Sequence, residues 1–383
     1  MIYKVIGLMS GSSLDGLDIA FVQMQENGGK WQYEILHADC YEYESDWIEK
    51  LKNAITLNAL DYQLLHTEYG HYLGKQVNLF IEKNNLHHQV NLISSHGHTT
   101  FHVPQKLMTA QLGDGAAIAA ETQLPVVTDL RAMDVAFGGQ GAPIVPMGEK
   151  MLLEDYDYFL NLGGIANIST HTSTVLNSNG EQSGSIAFDI CAANRVLNML
   201  SEEKGFAFDN EGNIAAAGKI DNTLLEKLNQ LEYYNQSYPK SLANDFGVDT
   251  VFPMIKKSNL NTEDAMRTYV EHIVLQIKNS ITDIRENNKP PTTKLPTGQV
   301  SYKLVATGGG AFNSFLITRL KEVLAEMNIE IIIPEENLIK YKEAMIMALL
   351  GTLRWREEYN VLASVTGAKR NSIGGALWLG TEA

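Results

Sequence analysis

The sequence predicts a two-domain α/β protein, and three observations carry the prediction. A loop of glycine, serine and aspartate, running from Ser10 to Gly16, lies between two short apolar runs, 3–9 and 17–24. Their β-branched residues and alternation read as the two strands of a hairpin. The arrangement recurs over Tyr158–Thr170, where two strand-like runs flank Gly163-Gly164. A third cluster, Gly308-Gly309-Gly310, follows the run Tyr302–Thr307 but precedes Phe315, Leu316, Leu320, Val323 and Leu324 at helical spacing. Here a strand turns into a helix. With 383 residues, the chain has length for two domains of roughly 100–200 residues each.

The remaining elements follow in order. Residues 44–88 are helical in character, with Trp47, Leu51, Ile55, then Leu60, Leu64, Leu65, Tyr72 and Leu73 on repeating faces. Val90–Ser94 reads as a buried strand ending in Ser95-His96-Gly97-His98. Gly113–Glu121 reads as an alanine-rich helix, Leu124–Thr128 as a strand, and 138–143 as a glycine-rich crossing. The second half opens with strands over 157–170 and 184–188, followed by a helix from about 191 to 201. A long helix is expected over 263–286, an exposed loop over 287–299, a helix from Glu343 to about Glu358, and a glycine-rich return over 364–376.

The first loop is unusual for a turn. Gly11 and Gly16 permit approaches that a side chain would block, and consecutive N–H groups with the Ser12 and Ser13 hydroxyls can cradle an anion. An aspartate beside such a cradle repels phosphate unless a cation sits between them. The combination suggests a metal–phosphate site, with Asp15 or Asp18 facing the metal or its water shell. No Gly-Lys-Ser/Thr follows and the next element is a strand, so this is not a Walker A loop. A plain tight turn is the other use of such a sequence.

Two hairpins able to hold phosphates, each early in its half, and a late glycine turn able to seat a nucleoside resemble the actin, hexokinase and Hsp70-type ATPase fold. That fold has two RNase H-like domains around an interdomain nucleotide cleft. The motifs narrow the resemblance. They are Gly11–Asp18, Ser95-His96-Gly97-His98-Thr99, Leu112–Gly115, Asp129-Leu130-Arg131, Asp134, Gly138–Pro143, Asn161–Ile168, Pro239-Lys240-Ser241 and Ser364–Ala368. Falling in family order from residue 5 to residue 380, they resemble the anhydro-N-acetylmuramic acid kinases. The resemblance implies an N-terminal domain of 1–135 plus 364–383 on the sugar and phosphate side, rejoined by the glycine-rich return. It implies a C-terminal domain of 136–363 on the nucleotide side. The cofactors implied are ATP and Mg2+. Phosphates are expected near Gly11, Ser12, Ser13, Leu14, Asp15, Gly16, Leu17 and Asp18, and near Gly163, Gly164 and Asn167. The adenosine is expected at Gly308, Gly309, Gly310 and Asn313, and Asp15 is the residue expected to face the metal.

The resembled family converts 1,6-anhydro-N-acetylmuramic acid, ATP and water to N-acetylmuramic acid 6-phosphate and ADP, a step of cell-wall recycling. Opening the internal acetal needs a base to activate water while the departing O6 takes the γ-phosphoryl group. The resemblance puts that base at Asp189. Independently, an acid after an apolar strand and before a helix sits where active-site groups gather in open α/β sheets, although helix N-capping uses the same position. For the substrate, the resemblance points to His96, Arg131, Asp134 and Glu343. Arg131 suits a lactyl carboxylate through a bidentate pair, and Asp134 suits sugar hydroxyls or the acetamide N–H; a surface ion pair is the alternative for both. Glu343 opens an apolar helix, where an acid is also simply favourable. His96, His98 and His102 invite a metal, but no Cys or paired acid completes a set; they are expected to line the sugar side instead.

The chain departs from the family pattern in places. Ile190-Cys191-Ala192-Ala193 stands where the family has Thr-Gly-Pro-Gly, and Leu242–Asp245 where it has Thr-Gly-Arg-Glu. His98 replaces Gln and Ser12 replaces Thr, which marks a divergent branch. Alternatives that keep the fold are a kinase for another amino sugar or anhydro-sugar, or a non-catalytic nucleotide-binding sensor. Asp189 together with Arg131 and Asp134 favours an enzyme, because a sensor needs no sugar pocket.

Composition excludes other classes. Hydrophobic residues make up 44% and charged residues 20%, as in a globular chain able to bury a core. A net charge of −15 with no Lys/Arg block argues against nucleic acid and anionic membrane surfaces. No apolar run approaches the ~18 residues of a membrane span, and the first residues lack a signal-peptide pattern. Two cysteines make no disulfide framework. A cytoplasmic enzyme with a small amino-sugar partner is expected, with a homodimer left open.

Overall fold

Strand-forming runs and glycine turns build two sheets of one topology. The structure, a computed structural model, describes residues 1–11, 14–176, 182–238, 240–243, 245–287 and 301–380, with backbone alone for 172–176 and 182–183. Ser12 and Ser13, Pro239 and Asn244, and residues 288–299 of the expected loop lie outside the described residues. The chain divides into two compact units, Met1–Glu154 with Tyr341–Ala383, and Asp155–Lys340.

In chain order the strands are β1 (Ile2–Ser10), β2 (Leu17–Asn27), β3 (Lys30–Tyr41), β4 (Leu92–Ser95), β5 (His98–Val103), β6 (Met108–Leu112) and β7 (Val126–Thr128). They continue with β8 (Tyr158–Leu162), β9 (Ile165–Leu176), β10 (Gln182–Ala192), β11 (Tyr302–Thr307), β12 (Ile329–Ile332) and β13 (Ala376–Trp378).

The first unit's main sheet is ordered β13-β7-β4-β1-β2-β3, and the second unit's sheet β10-β9-β8-β11-β12. In each, the first three strands form an antiparallel meander, and the next two run parallel to its first strand. Counted along the chain, both central sheets therefore read 3-2-1-4-5. This repeated order is the RNase H-like sheet that the sequence led us to expect.

The first sheet is covered by helices because its central strands are apolar on both faces. One face carries the helix Ala59–Lys83, started by Asn58, whose side chain accepts the Leu60 and Asp61 amides. Its Leu65, Tyr69, Leu73, Val77 and Phe80 join Ile6, Leu8, Ile19 and Phe21 in one cluster, each large side chain contributing about 1.5–3 kcal/mol by burial. Against Gly7, in the middle of β1, lies the backbone of the helix Glu336–Trp355. A Cβ on Gly7 would overlap the Ala344 carbonyl oxygen. In the second unit, Met266, Tyr269, Ile273, Ile277 and Ile281 of the helix Thr262–Asn287 share a core with Leu160, Ile168, Phe188 and Ile190.

Several elements differ from expectation. The helical stretch 44–88 is two helices, Ser45–Asn53 and Ala59–Lys83, joined by a tight turn at Ala54–Thr56. The helix expected from Glu343 starts at Glu336 and kinks at Tyr341 (φ −114°, ψ 15°), so Glu343 lies just past a kink instead of at a free end. The helix expected from 191 starts at Asn194, because β10 continues through Ala192. Strands β3, β5, β6, β12 and β13 were not anticipated. No helix among the described residues is long and apolar enough to cross a membrane.

Candidate active site

In the first unit, β1 and β2 pair from Ile2↔Gln25 to Ser10↔Leu17 and place Gly11, Leu14, Asp15 and Gly16 at the tip of a hairpin. Gly16 is glycine because β3 passes close by: a Cβ there would stand 2.7 Å from Cys40 Sγ and 2.9 Å from the Tyr41 carbonyl oxygen. Leu14 adopts φ 59°, a left-handed conformation costly for a leucine. Asp15 is exposed, whereas Asp18 faces Cys40 across β2–β3. Burial pushes the Asp18 carboxyl up to about 6, against a hydrogen bond to Cys40, with the carboxylates of Asp15 and Glu343 adding to the rise. Leu17 is buried in the core.

Next to this tip lies a polar cluster. Ser10 Oγ accepts from the Tyr43 hydroxyl at 2.8 Å and lies 3.2 Å from His98 Nδ1. His96 is buried, and burial, then the Arg131 charge, lowers its pKa to about 3. It is neutral at physiological pH, and its two ring nitrogens have separate tasks. Nδ1 lies 2.8 Å from the Gly97 carbonyl and so carries the hydrogen, while Nε2 accepts from Arg131 Nε at 2.8 Å. Arg131 Nη1 donates to the Gly141 carbonyl at 2.9 Å. Its guanidinium is thus held in plane by two neutral partners, and the acid that acts on its charge is Glu343. His102 is engaged by Thr109, and no group of three His, Cys, Asp or Glu among the described residues is placed to hold a metal.

Asp134 is fully buried and both its oxygens are occupied. Oδ2 accepts the Gly141 amide at 2.8 Å and Oδ1 accepts the Thr366 hydroxyl at 2.7 Å. Gly139 must be glycine because a Cβ would collide with that carboxylate. The Gln140 amide in turn donates to the Thr366 carbonyl at 2.8 Å. Asp134, expected to meet the sugar, also braces the 138–141 run from inside, and Thr366, which sequence reasoning quoted without a role, is its partner. Glu343 shares its surroundings with Arg131, Lys342 and Glu149; burial raises its carboxyl, while Lys342 and Arg131 pull the other way. Lys342 Nζ and Glu149 Oε1 form a buried ion pair at 2.9 Å.

In the second unit, Gly163-Gly164 turn β8 into β9, with Asn161 and Asn167 opposite each other. The first amides of the helix Asn194–Glu202 do not stay open. Ala193 N–H donates to the Gly164 carbonyl at 2.8 Å, Asn194 N–H to the Gly163 carbonyl at 3.1 Å, and Asn194 Nδ2 to the Leu162 carbonyl at 2.8 Å. The glycine turn after β11 lies against the same hairpin. Gly308 (φ 79°) would place a Cβ on Asn161 Oδ1, and Gly310 would place one 2.7 Å from Leu162 Cβ. Gly309 lies by Asn194 Nδ2. The structure thus brings Gly163, Gly164, Asn167, Gly308, Gly309 and Gly310 into one neighbourhood. Asn313 does something local: its side chain accepts the Leu316 amide at 3.0 Å and caps the helix Ser314–Ala325.

Asp189 needs a correction. It lies within β10, opposite Asn167, and the helix cap position belongs to Ala193. The register slips between Asp189 and Cys191, so Ile190 is an extra residue and the strand bulges there. A bulge re-aims side chains. The main chain of Asp189 is fixed at both groups: its N–H donates to the Lys240 carbonyl at 3.2 Å, and its C=O accepts the Tyr233 hydroxyl at 2.7 Å. Its Oδ2 accepts the Leu242 amide at 2.9 Å and the Ser241 hydroxyl at 3.2 Å. Burial raises its carboxyl above the ordinary range, and those two hydrogen bonds partly offset the rise. Ser241, Leu242 and Tyr233 are far from Asp189 in sequence, and only the Pro239-Lys240-Ser241 motif hinted at them.

An RNase H-like sheet used twice in one chain is an architecture of ATP-dependent phosphotransferases, but function is read from sites and relatives. The relatives give the class as a sugar kinase. A model of the anhydro-N-acetylmuramic acid kinase family matches residues 3–380. The anhydro-N-acetylmuramic acid kinase of Francisella tularensis subsp. novicida is 31% identical, covering 97% of each chain. That of Bacillus thuringiensis subsp. konkukian is 30% identical, covering 96% of this chain and 97% of its own. Among solved structures, Plasmodium falciparum glycerol kinase with ADP covers 92% of this chain and 90% of its own, at 9% identity and a TM-score of 0.46. The chain belongs to the anhydro-N-acetylmuramic acid kinase family.

Proposed function

We propose that this chain opens 1,6-anhydro-N-acetylmuramic acid with Asp189 as general base and Gly163-Gly164 as the turn against which the ATP phosphates lie. Asp189 takes a proton from water, the water oxygen bonds the anomeric carbon, and the C1–O6 bond breaks. O6 then bonds the γ-phosphorus and ADP departs. A carboxylate raised by burial suits this task, because its basicity is closer to that needed at neutral pH.

One observation carries the phosphate assignment. Gly163 and Gly164 have no positive φ, and a Cβ on either would come no closer than 3.4 Å to any neighbour. Nothing inside the protein requires two glycines there, so close approach by a ligand is the remaining reason for them. Gly308 and Gly310 are glycine for packing, and the nucleoside is assigned beside them at Gly309, where a Cβ would meet no atom closer than Asn194 Nδ2 at 3.5 Å.

Arg131 is assigned to the lactyl carboxylate, with His96 as the hydrogen-bond acceptor that orients it. Mg2+ fits the acid-rich tip of the first hairpin, where Asp15 raises Asp18 and a cation would relieve both. Such an ion needs one or two carboxylates, phosphate oxygens and water, not an all-protein cage, and it would neutralise charge on the transferred group. Cys40 and Cys191 are free thiols, which suits the cytoplasm.

The test is turnover of the anhydro-sugar with Mg·ATP in H₂¹⁸O, read by mass spectrometry. Label at the anomeric hydroxyl of a 6-phosphorylated product is the expected result. Label in inorganic phosphate, with the sugar unchanged, would reduce the chain to an ATP hydrolase and overturn the coupled mechanism.

A further inference from the structure

The two oxygens of Asp189 are not equivalent. Oδ2 accepts both the Leu242 amide and the Ser241 hydroxyl, while Oδ1 has no hydrogen-bond partner among the described residues. The main chain is pinned by Lys240 and Tyr233, so the freedom left to the carboxylate is rotation about its last torsion, which is broad and twofold for aspartate. A half-turn only exchanges two equivalent oxygens, so the Leu242 amide alone leaves the plane of the carboxylate free to swing about its one hydrogen bond. The Ser241 hydroxyl, arriving from the same segment on the same oxygen, adds a second direction and fixes that plane. It also draws negative charge towards Oδ2.

We propose that Ser241 is a positioning residue for the reaction: by holding Oδ2 together with the Leu242 amide, it fixes the plane of the carboxylate and so the direction in which the open oxygen, Oδ1, accepts the proton from water. The inference rests on Asp189 being the base. In the step, a lone pair of water forms the new C1–O bond, the proton passes to Oδ1 and leaves its O–H pair on the water oxygen, and the C1–O6 pair departs with O6, which bonds the γ-phosphorus as ADP leaves. Lys240 keeps the segment in place, its ammonium lying 4.8 Å from the Tyr233 ring centroid and 5.9 Å from that of Phe188.

The experiment compares full-length Ser241→Ala, Ser241→Thr and Asp189→Asn by steady-state kinetics over the acid limb of the kcat profile. Ser241 is exposed, so its truncation should fold, with Ser241→Cys available as a poor donor of nearly equal volume. Ser241→Ala should lower kcat by about tenfold, the scale of one hydrogen bond to a charged group. Its acid limb should move to higher pH, because a donor that favours the ionised carboxylate is gone. The KM for ATP should stay within about twofold, since the hydroxyl contacts no part of the phosphate turn. Ser241→Thr, which keeps the hydroxyl, should restore both rate and limb. An unchanged limb and rate in Ser241→Ala, beside an inactive Asp189→Asn, would overturn the positioning role and leave the base assignment standing. Full activity in Asp189→Asn would remove the base and this proposal with it.

Discussion

Asp134 separates two uses of a carboxylate near a sugar site, and its burial gives the sizes. In the wild-type protein its side chain is inaccessible and holds Gly141 N–H at 2.8 Å and Thr366 Oγ at 2.7 Å. Asp134→Ala removes both bonds, each to a charged group and worth about 1.5–3 kcal/mol, and leaves the Gly141 amide buried without its acceptor. Allowing for the charge that no longer has to be buried, a loss of about 3 kcal/mol is expected. For a unit of this size that lowers the melting temperature by roughly 6–12 °C. Asp134→Asn should be milder, about 1 kcal/mol, because the amide oxygen can keep Gly141. The Thr366 hydroxyl can then turn to the Leu362 carbonyl, 3.4 Å away, and accept from the new NH₂. Thermal unfolding and sugar KM should be measured on the same samples. The bracing argument expects stability to fall in the order wild type, Asn, Ala, with sugar KM tracking the damage to 138–141. If Asp134→Asn melts with the wild type yet raises sugar KM tenfold or more, Asp134 touches the sugar and the bracing argument is wrong.

Three further outcomes are expected. Asp189→Asn keeps an acceptor for Leu242 but cannot take a proton, so kcat should fall by about 10²–10⁴ while calorimetry still detects both ligands; a rate within tenfold of wild type would contradict a base at this position. Asp18 has its pKa raised from 3.8 to about 6 in the folded state, so its contribution to stability is complete below about 4 and lost as pH rises through 6. Asp18→Asn should flatten that part of the stability–pH curve, and an unaltered slope in chemical denaturation would exclude Asp18 as its source. Lys342→Met strips a buried carboxylate of its ammonium and should cost about 3–5 kcal/mol, most of it recovered by adding Glu149→Leu; no recovery in the double variant would mean that Lys342 stabilises by packing alone.

What the sequence disclosed was local. Glycine turns between β-branched runs exposed both hairpins, and the 3.6-residue spacing after Asn313 exposed the helix there. β3 escaped because it alternates partly exposed polar and apolar residues without a buried face of its own. β5 and β6 escaped for a related reason: they are short and mostly half-buried, and β5 is largely histidine and threonine. The site was legible as a set of residue types but not as a set of contacts. Asp134 and Thr366 are 232 residues apart, Lys342 and Glu149 are 193 apart, and the Leu242 amide reaches Asp189 across 53. No period or motif encodes such pairs. Asp189 was misplaced for a physical reason: an apolar run ending in an acid looks the same whether the strand stops or bulges and continues.

The meeting of Gly7 with Ala344 bears on how the protein is made. Met1–Glu154 forms one compact unit only together with Tyr341–Ala383, while Asp155–Lys340 is contiguous. At about 5–20 residues per second, a ribosome needs roughly 20–70 s to travel from the first strand to the helix that covers it. Throughout that time the apolar face around Gly7 has no helix to rest on, and β7 lacks β13 at its edge. The contiguous unit is complete before its predecessor in the chain can be. The opening strands are thus made first and finished last, an apolar surface left waiting for a helix drawn from the far end of the chain.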